Sequence, residues 1–372
     1  MVIDNLYIKV LFHLLRIALG NENPSSSLSE ERVRWDEVIN LAMSQGLDAI
    51  AFDGIQALFD HSSREDISTL EGFLGAKKYE WFGCMLQAEQ DYDAYCNVLR
   101  DLVSFYNSED IPVLLLKGYG LSLNYPIPAH RPTGDIDIYL FGEWERSDQL
   151  FAAKRGIRID NSHHHHSVFN FKGRSVENHY DFFNIYAHRS SRRIESILKE
   201  RIAYDWTEYD LDGATLRLPG ANFNALFLLR HNASHFASVN MNLRQVLDWL
   251  LFVRQHHNQV NWTWLYGILR QENMIRFANT LNTIGVMYLG FDRSLFPEIE
   301  EDNALVERVF NEILYPTYNE KEDGTIGKSL RVKPSRWWHN RWKHKLCYSD
   351  SLLSSFLNSL YAKILKPSHF VH

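Results

Sequence analysis

Two aspartates stand one residue apart within an apolar stretch of this sequence. The segment "DIDIYL" carries Asp135 and Asp137, alternating with Ile136 and Ile138. If the segment is a strand, successive side chains point to opposite faces, so both carboxylates project from one face and both isoleucines from the other. Two carboxylates this close repel each other unless a cation lies between them. The pattern therefore predicts a divalent metal site.

A second polar segment, "SVENHYDFF", offers a third carboxylate. Read as a strand, it places Glu177, His179 and Asp181 on one face. Such a face is costly to bury unless a metal or substrate covers it, although a solvated sheet face shows the same pattern. Glu177 and Asp181 stand four positions apart, about 13 Å along a strand, so only one can be the third ligand. His179 is interpreted as a residue beside the ligands or facing an acceptor.

A glycine turn ahead of the aspartates is a candidate phosphate site. Gly118 ends the apolar run "IPVLLLK" and precedes a short helical segment. Backbone N–H groups and the helix dipole can hold a phosphate at such a turn, and Lys117 adds a positive charge. Alone, the pattern is more typical of a tight strand–helix turn. Together with the aspartates that follow, it makes Lys117, Gly118, Arg131 and Thr133 candidates for binding a phosphate group.

The elements that must position these residues indicate an α+β protein with a small mixed sheet between helical regions. Residues 1–108 read as helices, including an N-terminal amphipathic helix rather than a signal peptide. Residues 109–190 read as a catalytic core with a strand, a short helix, the Asp-x-Asp strand, a helix over Trp144 to Arg155, and a hairpin. Residues 191–372 read as a second helical region, with helices from Ile194 nearly to the end.

Composition narrows the class of protein. The chain has 372 residues and a net charge of −7, which argues against bulk binding of nucleic acid. Its three cysteines are scattered, as is typical of a reducing compartment. No apolar run reaches the roughly 18 to 20 residues of a membrane span. A cytoplasmic location is expected.

Three further features have a structural and a functional interpretation. The run His163 to His166 is expected to form a strand edge near the mouth of the site rather than a dedicated metal site. Structural roles are favoured for His231, His235, Arg244 and Asp248, although Arg244 and Asp248 are also candidates for the acceptor side. The basic segment 327–345, rich in tryptophan, fits either an anionic acceptor or an amphipathic helix.

The chain also resembles a known family. The segments "LLLKG", "RPTGDIDIYL", "VENHYDF" and "ALFLLRHNASHFASVNMNLRQVLDWLLFV" are similar to those of the uncharacterised nucleotidyltransferases of the DNA polymerase β superfamily. Members of that family are often encoded in bacterial polysaccharide and peptide-modification loci. One departure is Tyr119, which follows Gly118 where the superfamily usually has Gly-Ser or Gly-Gly.

The resemblance implies an activity and a mechanism. It implies that an NMP passes from an NTP to a hydroxyl or phosphate acceptor by a two-metal mechanism, with Mg²⁺, or Mn²⁺ in its place, held by Asp135, Asp137 and Glu177. Glu177 is chosen because "VENH" aligns with a pattern in which the acid precedes the histidine by two. Asp181 then lies toward the end of the strand and faces the acceptor or a basic partner. The resemblance also implies that the nucleotide is bound by Lys117, Gly118, Arg131 and Thr133. The acceptor itself, a sugar, peptide, protein or RNA end, is left open.

Two other functions remain open at this point. An Asp-x-Asp motif also occurs in metal-dependent glycosyltransferases, which bind a nucleotide-sugar. That interpretation would need a nucleotide-binding α/β unit before the motif, whereas the sequence has a largely helical region there. The other alternative is a non-catalytic interaction protein that has kept the fold.

Overall fold

A computed structural model describes residues 5–24, 33–61, 74–186, 188–238, 240–317, 339–355 and 358. The strands are β1 (Leu114–Leu115), β2 (Ile136–Tyr139), β3 (His166–Phe171), β4 (Arg174–His179), β5 (Trp206–Leu211) and β6 (Ala214–Pro219). They form one mixed sheet in the order β3-β4-β2-β1-β6-β5. β2 runs antiparallel to β1 and parallel to β4. The predicted α+β class is confirmed.

In the sequence, helices precede the first strand, lie between several strands and follow the last strand. They are α1 (Leu6–Ala18), α2 (Trp35–Gln45), α3 (Asp48–His61), α4 (Lys77–Asn107), α5 (Tyr119–Ser122), α6 (Trp144–Arg155), α7 (Arg189–Ile202), α8 (Ala221–Ser238), α9 (Leu243–His256), α10 (Trp262–Gln271), α11 (Ile275–Leu289), α12 (Asn303–Leu314) and α13 (Arg341–Cys347). Before β1, the regular elements of the described residues are all helices, as predicted. The predicted helix over Trp144–Arg155 is confirmed.

The prediction that only helices follow residue 191 is wrong. β5 and β6 form an antiparallel hairpin, and β6 pairs in parallel with β1, so this hairpin completes the sheet. The hairpin turn contains Asp212 and Gly213, both with positive φ. An Asp-Gly pair between alternating residues is a strong hairpin signal, and it is present in "TEYDLDGATLRL".

One face of the sheet is apolar and packs on helices α4 and α6. Ile136 and Ile138 of β2 are fully buried there, in a core that includes Val176 of β4, Leu99 of α4 and Phe151 of α6. A second, larger core joins the N-terminal helices to the C-terminal ones. Because the isoleucines occupy the first core, Asp137 must face the opposite side of the sheet.

The N-terminal helices pack very closely. A Cβ atom at Gly54 in α3 would lie 2.2 Å from the carbonyl oxygen of Leu14 in α1, so only glycine permits this approach. Among the described residues, no helix combines the length and apolarity needed to cross a membrane.

The basic, tryptophan-rich segment 327–345 lies partly outside the described residues. Within the described part, Lys343 is buried and its Nζ lies 2.7 Å from Glu312 Oε1. Trp342 packs edge-on against Phe236, and the Arg308 guanidinium lies over its ring. These contacts favour the interpretation as a packed amphipathic helix for residues 341–345.

Candidate active site

Asp137 and Glu177 lie side by side on neighbouring strands. β2 and β4 are parallel, and their register pairs Asp137 with Glu177. Both side chains project from the face opposite Ile136 and Val176, as the strand alternation predicts. The Asp137 side chain is 7 % exposed and that of Glu177 is 24 % exposed. The sheet therefore brings two carboxylates together at a partly enclosed position.

Asp135 lies immediately before β2, at a more exposed position. Partial desolvation, followed by the charges of Glu177 and Asp137, raises the pKa of Asp135. A hydrogen bond with Ser175 acts in the opposite direction. The three carboxylates are thus close enough to repel one another, which is the property expected of a cation site.

Lys117 neutralises part of this negative charge. Its Nζ donates to Asp137 Oδ1 over 2.8 Å and lies 3.3 Å from His231 Nε2. The Nε2 atom of His179 also lies 3.2 Å from Asp137 Oδ1. Burial alone would raise the pKa of Asp137, but the Lys117 charge and the His179 hydrogen bond lower it instead. Asp137 is therefore ionised at neutral pH.

The turn that carries Lys117 requires glycine at position 118. Gly118 has φ +63°, and a Cβ atom there would lie 2.5 Å from the hydroxyl oxygen of Tyr95. The backbone can therefore bend sharply between β1 and α5 only because no side chain is present. This bend is what directs Lys117 towards the carboxylates of β2 and β4.

A cavity of about 430 Å³ opens beside these groups. Lys117, Glu177, Phe183, Phe227 and Tyr348 are part of its wall. Six histidines also line it: His165, His166, His179, His188, His231 and His235. Burial and the nearby Lys117 charge lower the pKa of His235 to about 4, so that imidazole is neutral at pH 7. The cavity therefore offers neutral nitrogen donors and aromatic surface next to an acidic cluster.

The cavity contains residues for which the sequence favoured structural roles. His231 and His235 lie on one face of α8, with ring centroids 4.4 Å apart. His165 and His166 come from the four-histidine run, expected only to edge the site. The signals were the helical spacing of the first pair and the position of the run directly before a strand. Neither shows that both groups face one cavity, because that depends on how α8 packs on the sheet.

Asp181 does not reach the carboxylates. β4 ends at His179, so Asp181 lies beyond the strand and does not continue its alternation. Its backbone N–H donates to the carbonyl of His165 over 3.1 Å, and its carboxylate pairs with Lys199. Of the two acids proposed for the third position, the structure brings Glu177 alone beside Asp137.

Arg131 is held in a buried ion pair. Its Nε and Nη2 atoms donate to the two carboxylate oxygens of Asp248 over 2.8 and 3.0 Å. Tyr125 donates to the same carboxylate over 2.7 Å, while Arg244 is 4.0 Å away. This pair connects the loop before β2 to helix α9. The geometry therefore favours a positioning role for Arg131 and Asp248, and Thr133 lies half-buried in the loop they hold.

We expect Arg131→Ala to lower the free energy of unfolding by about 3 to 5 kcal/mol, because it leaves the Asp248 carboxylate buried without its partner. Arg244→Ala is the matched control, and a loss under about 1 kcal/mol is expected for that longer, partly exposed pair. Both values can be measured by chemical denaturation. If the Arg131→Ala protein were fully stable and had a raised KM for NTP, the result would instead indicate that Arg131 binds the triphosphate.

Carboxylates grouped on adjacent strands, with a lysine on a glycine turn, are the features expected of an enzyme that handles phosphate groups. The profile of a family described as uncharacterised nucleotidyltransferase matches residues 31–281, a range that includes the whole sheet and every predicted site residue. This chain belongs to that nucleotidyltransferase family, as its sequence motifs predicted. No curated protein and no solved structure matches the chain.

Proposed function

We propose that this protein transfers an NMP from an NTP to a hydroxyl or phosphate group of an acceptor and releases pyrophosphate. The observation that supports the proposal most directly is the register of Asp137 with Glu177, beside Asp135 and Lys117. In the reaction the acceptor oxygen bonds to the α-phosphorus, and the bond from that phosphorus to the bridging oxygen breaks. The acceptor proton leaves to solvent or to Glu177.

The donor set fits the divalent ion that such enzymes use. Asp135, Asp137 and Glu177 supply carboxylate oxygens, which suit Mg²⁺, and Mn²⁺ as an alternative. When bound, the metal would lower the pKa of an acceptor hydroxyl and neutralise charge on the departing pyrophosphate. Partial desolvation, and after it the charges of Glu177 and Asp137, raise the pKa of Asp135. A cation would relieve this repulsion among the carboxylates, which is the physical reason to expect one there.

Lys117 has two roles in this proposal. In the free protein its ammonium group compensates the charge of Asp137. A bound cation would compensate that charge instead, and Lys117 would then be free to contact the triphosphate beside the backbone of the Gly118 turn. The cavity, whose wall includes both Lys117 and Glu177, would then receive the acceptor.

The direct test combines ligand stabilisation with transfer. NTP with Mg²⁺ is expected to raise the melting temperature, since a ligand that binds only the folded state stabilises it. The protein is then incubated with each α-labelled NTP and a host lysate, with Asp135→Asn as the inactive control. Stabilisation by a UDP-sugar instead would indicate a glycosyltransferase. No response to either ligand would indicate a non-catalytic protein.

Lys117→Ala is expected to raise the KM for NTP by about 10- to 100-fold, and to lower kcat where the contact strengthens as charge develops on the leaving group. Steady-state kinetics with varied NTP measures both effects. Lys199→Ala is the control, because Lys199 pairs with Asp181 outside the carboxylate cluster. An unchanged KM in Lys117→Ala would show that this residue does not bind the triphosphate.

A further inference from the structure

His165, His166 and His179 lie together where β3 begins and β4 ends. His166 and His179 are cross-strand partners in the hairpin. The ring centroid of His165 lies 4.3 Å from that of His166 and 5.6 Å from that of His179. One ring nitrogen of each histidine lies within 4.8 Å of a nitrogen from both others. Three imidazoles are thus held by the backbone of one hairpin at a mutual distance that a single ion could bridge after small rotations.

The hydrogen bond of His179 determines which of its nitrogens is free. Its Nδ1 atom lies 3.2 Å from the carbonyl oxygen of Asp181, which can only accept. Nδ1 therefore carries the hydrogen, as is usual for metal-binding histidines. Nε2 then faces Asp137 Oδ1 at 3.2 Å and Glu177 Oε2 at 3.4 Å. A neutral Nε2 lone pair would be repelled by both oxygens, so a proton or a metal ion must lie between them.

The other two histidines have unused nitrogens. The Nδ1 atoms of His165 and His166 are buried and have no hydrogen-bond partner among the described residues. A buried polar atom without a partner costs free energy, and in a native protein it calls for an explanation. His166 Nδ1 lies 3.8 Å from Glu177 Oε2, the same oxygen that faces His179. One nitrogen of His166 and one of His179 thus approach the same carboxylate oxygen, and the His165 ring lies beside both imidazoles.

We propose that His165, His166 and His179, with the Glu177 carboxylate, form a second metal site that binds a borderline transition-metal ion of the Zn²⁺ class. Three imidazoles and one carboxylate are a donor set that suits Zn²⁺ or Co²⁺ and not Mg²⁺, which prefers oxygen. The site shares Glu177 with the carboxylates of the proposed nucleotidyl transfer, but ion binding to the histidines does not require that activity. This proposal replaces the expectation that the histidine run only forms a strand edge near the mouth of the site.

Cobalt binding tests this site by a signal independent of catalysis. Metal-free protein is titrated with Co²⁺, and the visible absorption of a four-coordinate Co²⁺ complex is expected to saturate at one ion per chain. Zn²⁺ should remove the bands by displacement. His165→Gln and His166→Gln are each expected to weaken Zn²⁺ binding by about 10- to 100-fold, measured by competition with a chelator.

His164→Gln is the matched control, because it removes a histidine from the same run that is outside the cluster of three. It should keep the bands and the Zn²⁺ affinity of the unmodified protein. If His166→Gln does not fold, the less buried His165→Gln decides the question. Absence of the Co²⁺ bands, or bands that are equally sensitive to His164→Gln, would overturn the proposal and leave the histidines as cavity wall.

The same titration separates this proposal from the proposed function. Asp135→Asn should lose transfer but keep the Co²⁺ bands, since Asp135 is not among the ligands of the histidine site. Bands without transfer in the unmodified protein would support the second site and count against nucleotidyl transfer. Transfer with Mg²⁺ but without any Co²⁺ bands would support nucleotidyl transfer and count against the second metal site.

Discussion

Asp135→Asn is expected to lower the rate of nucleotidyl transfer by a factor of about 10³ or more while leaving the free energy of unfolding unchanged or higher in metal-free buffer. The loss of rate follows because the variant would lack a proposed ligand of the metal, which costs several kcal/mol of transition-state stabilisation. The gain in stability follows because Asp135 is repelled by Glu177 and Asp137, which raise its pKa after the effect of desolvation. Denaturation at pH 7, with and without Mg²⁺, measures the second effect.

Asp137→Asn is the informative comparison. It should abolish transfer equally but destabilise the fold by about 3 kcal/mol, because it breaks a mostly buried ion pair with Lys117. The folded protein lowers the pKa of Asp137. Its contribution to stability is therefore present above about pH 4, the pKa range of an unfolded aspartate, and is lost as the pH falls through the lower folded-state value. A large loss of stability in Asp135→Asn would contradict the assignment of Asp135 to a cation site.

Glu177→Gln is expected to lower kcat by about 10²- to 10⁴-fold with the affinity for NTP nearly retained. Glu177 stands in register with Asp137 and forms part of the cavity wall, so we place it between the proposed nucleotide site and the proposed acceptor. Activation of the acceptor hydroxyl would be lost, whereas Lys117 and the Gly118 turn would still hold the triphosphate. Single-turnover kinetics with separate titration of NTP and acceptor distinguishes the two effects.

Asp181→Asn is the matched control, since its carboxylate pairs with Lys199 beyond the end of β4. We expect a change of a few-fold at most, confined to the KM for the acceptor. If Asp181→Asn reduced kcat as strongly as Glu177→Gln, the third carboxylate would have to be reassigned. Equal and small effects in both variants would argue for a site with only two aspartates.

The strand positions of the site could be predicted from the sequence because they depend on local alternation. A strand places every second side chain on one face, so "DIDIYL" was sufficient to separate Asp137 from the buried Ile136 and Ile138. The hairpin of β3 and β4 followed from the glycine turn between two alternating segments. Family resemblance favoured Glu177 over Asp181, a choice that alternation alone leaves open and that the early end of β4 explains.

The β5–β6 hairpin was missed although its signal was local. Asp212 and Gly213 separate two alternating segments, but they follow α7 and precede α8, so a helical trend on both sides hid a short hairpin. This error affects the predicted topology of the sheet. Without β6 the sheet would end at β1, the strand that carries the Lys117 turn at its end.

By itself, the sequence determined which side chains share a strand face, since residues two apart on a strand need no tertiary information to be placed together. Only the tertiary structure decided the partners of the charged groups. Arg131 was assigned to the triphosphate, yet it pairs with Asp248, 117 residues away. His231 reaches Lys117 across 114 residues, and His165 meets His179 across the hairpin. The contacts of Arg131 and His231 depend on how helices α8 and α9 pack against the sheet, and that packing is set by the whole core rather than by any local pattern.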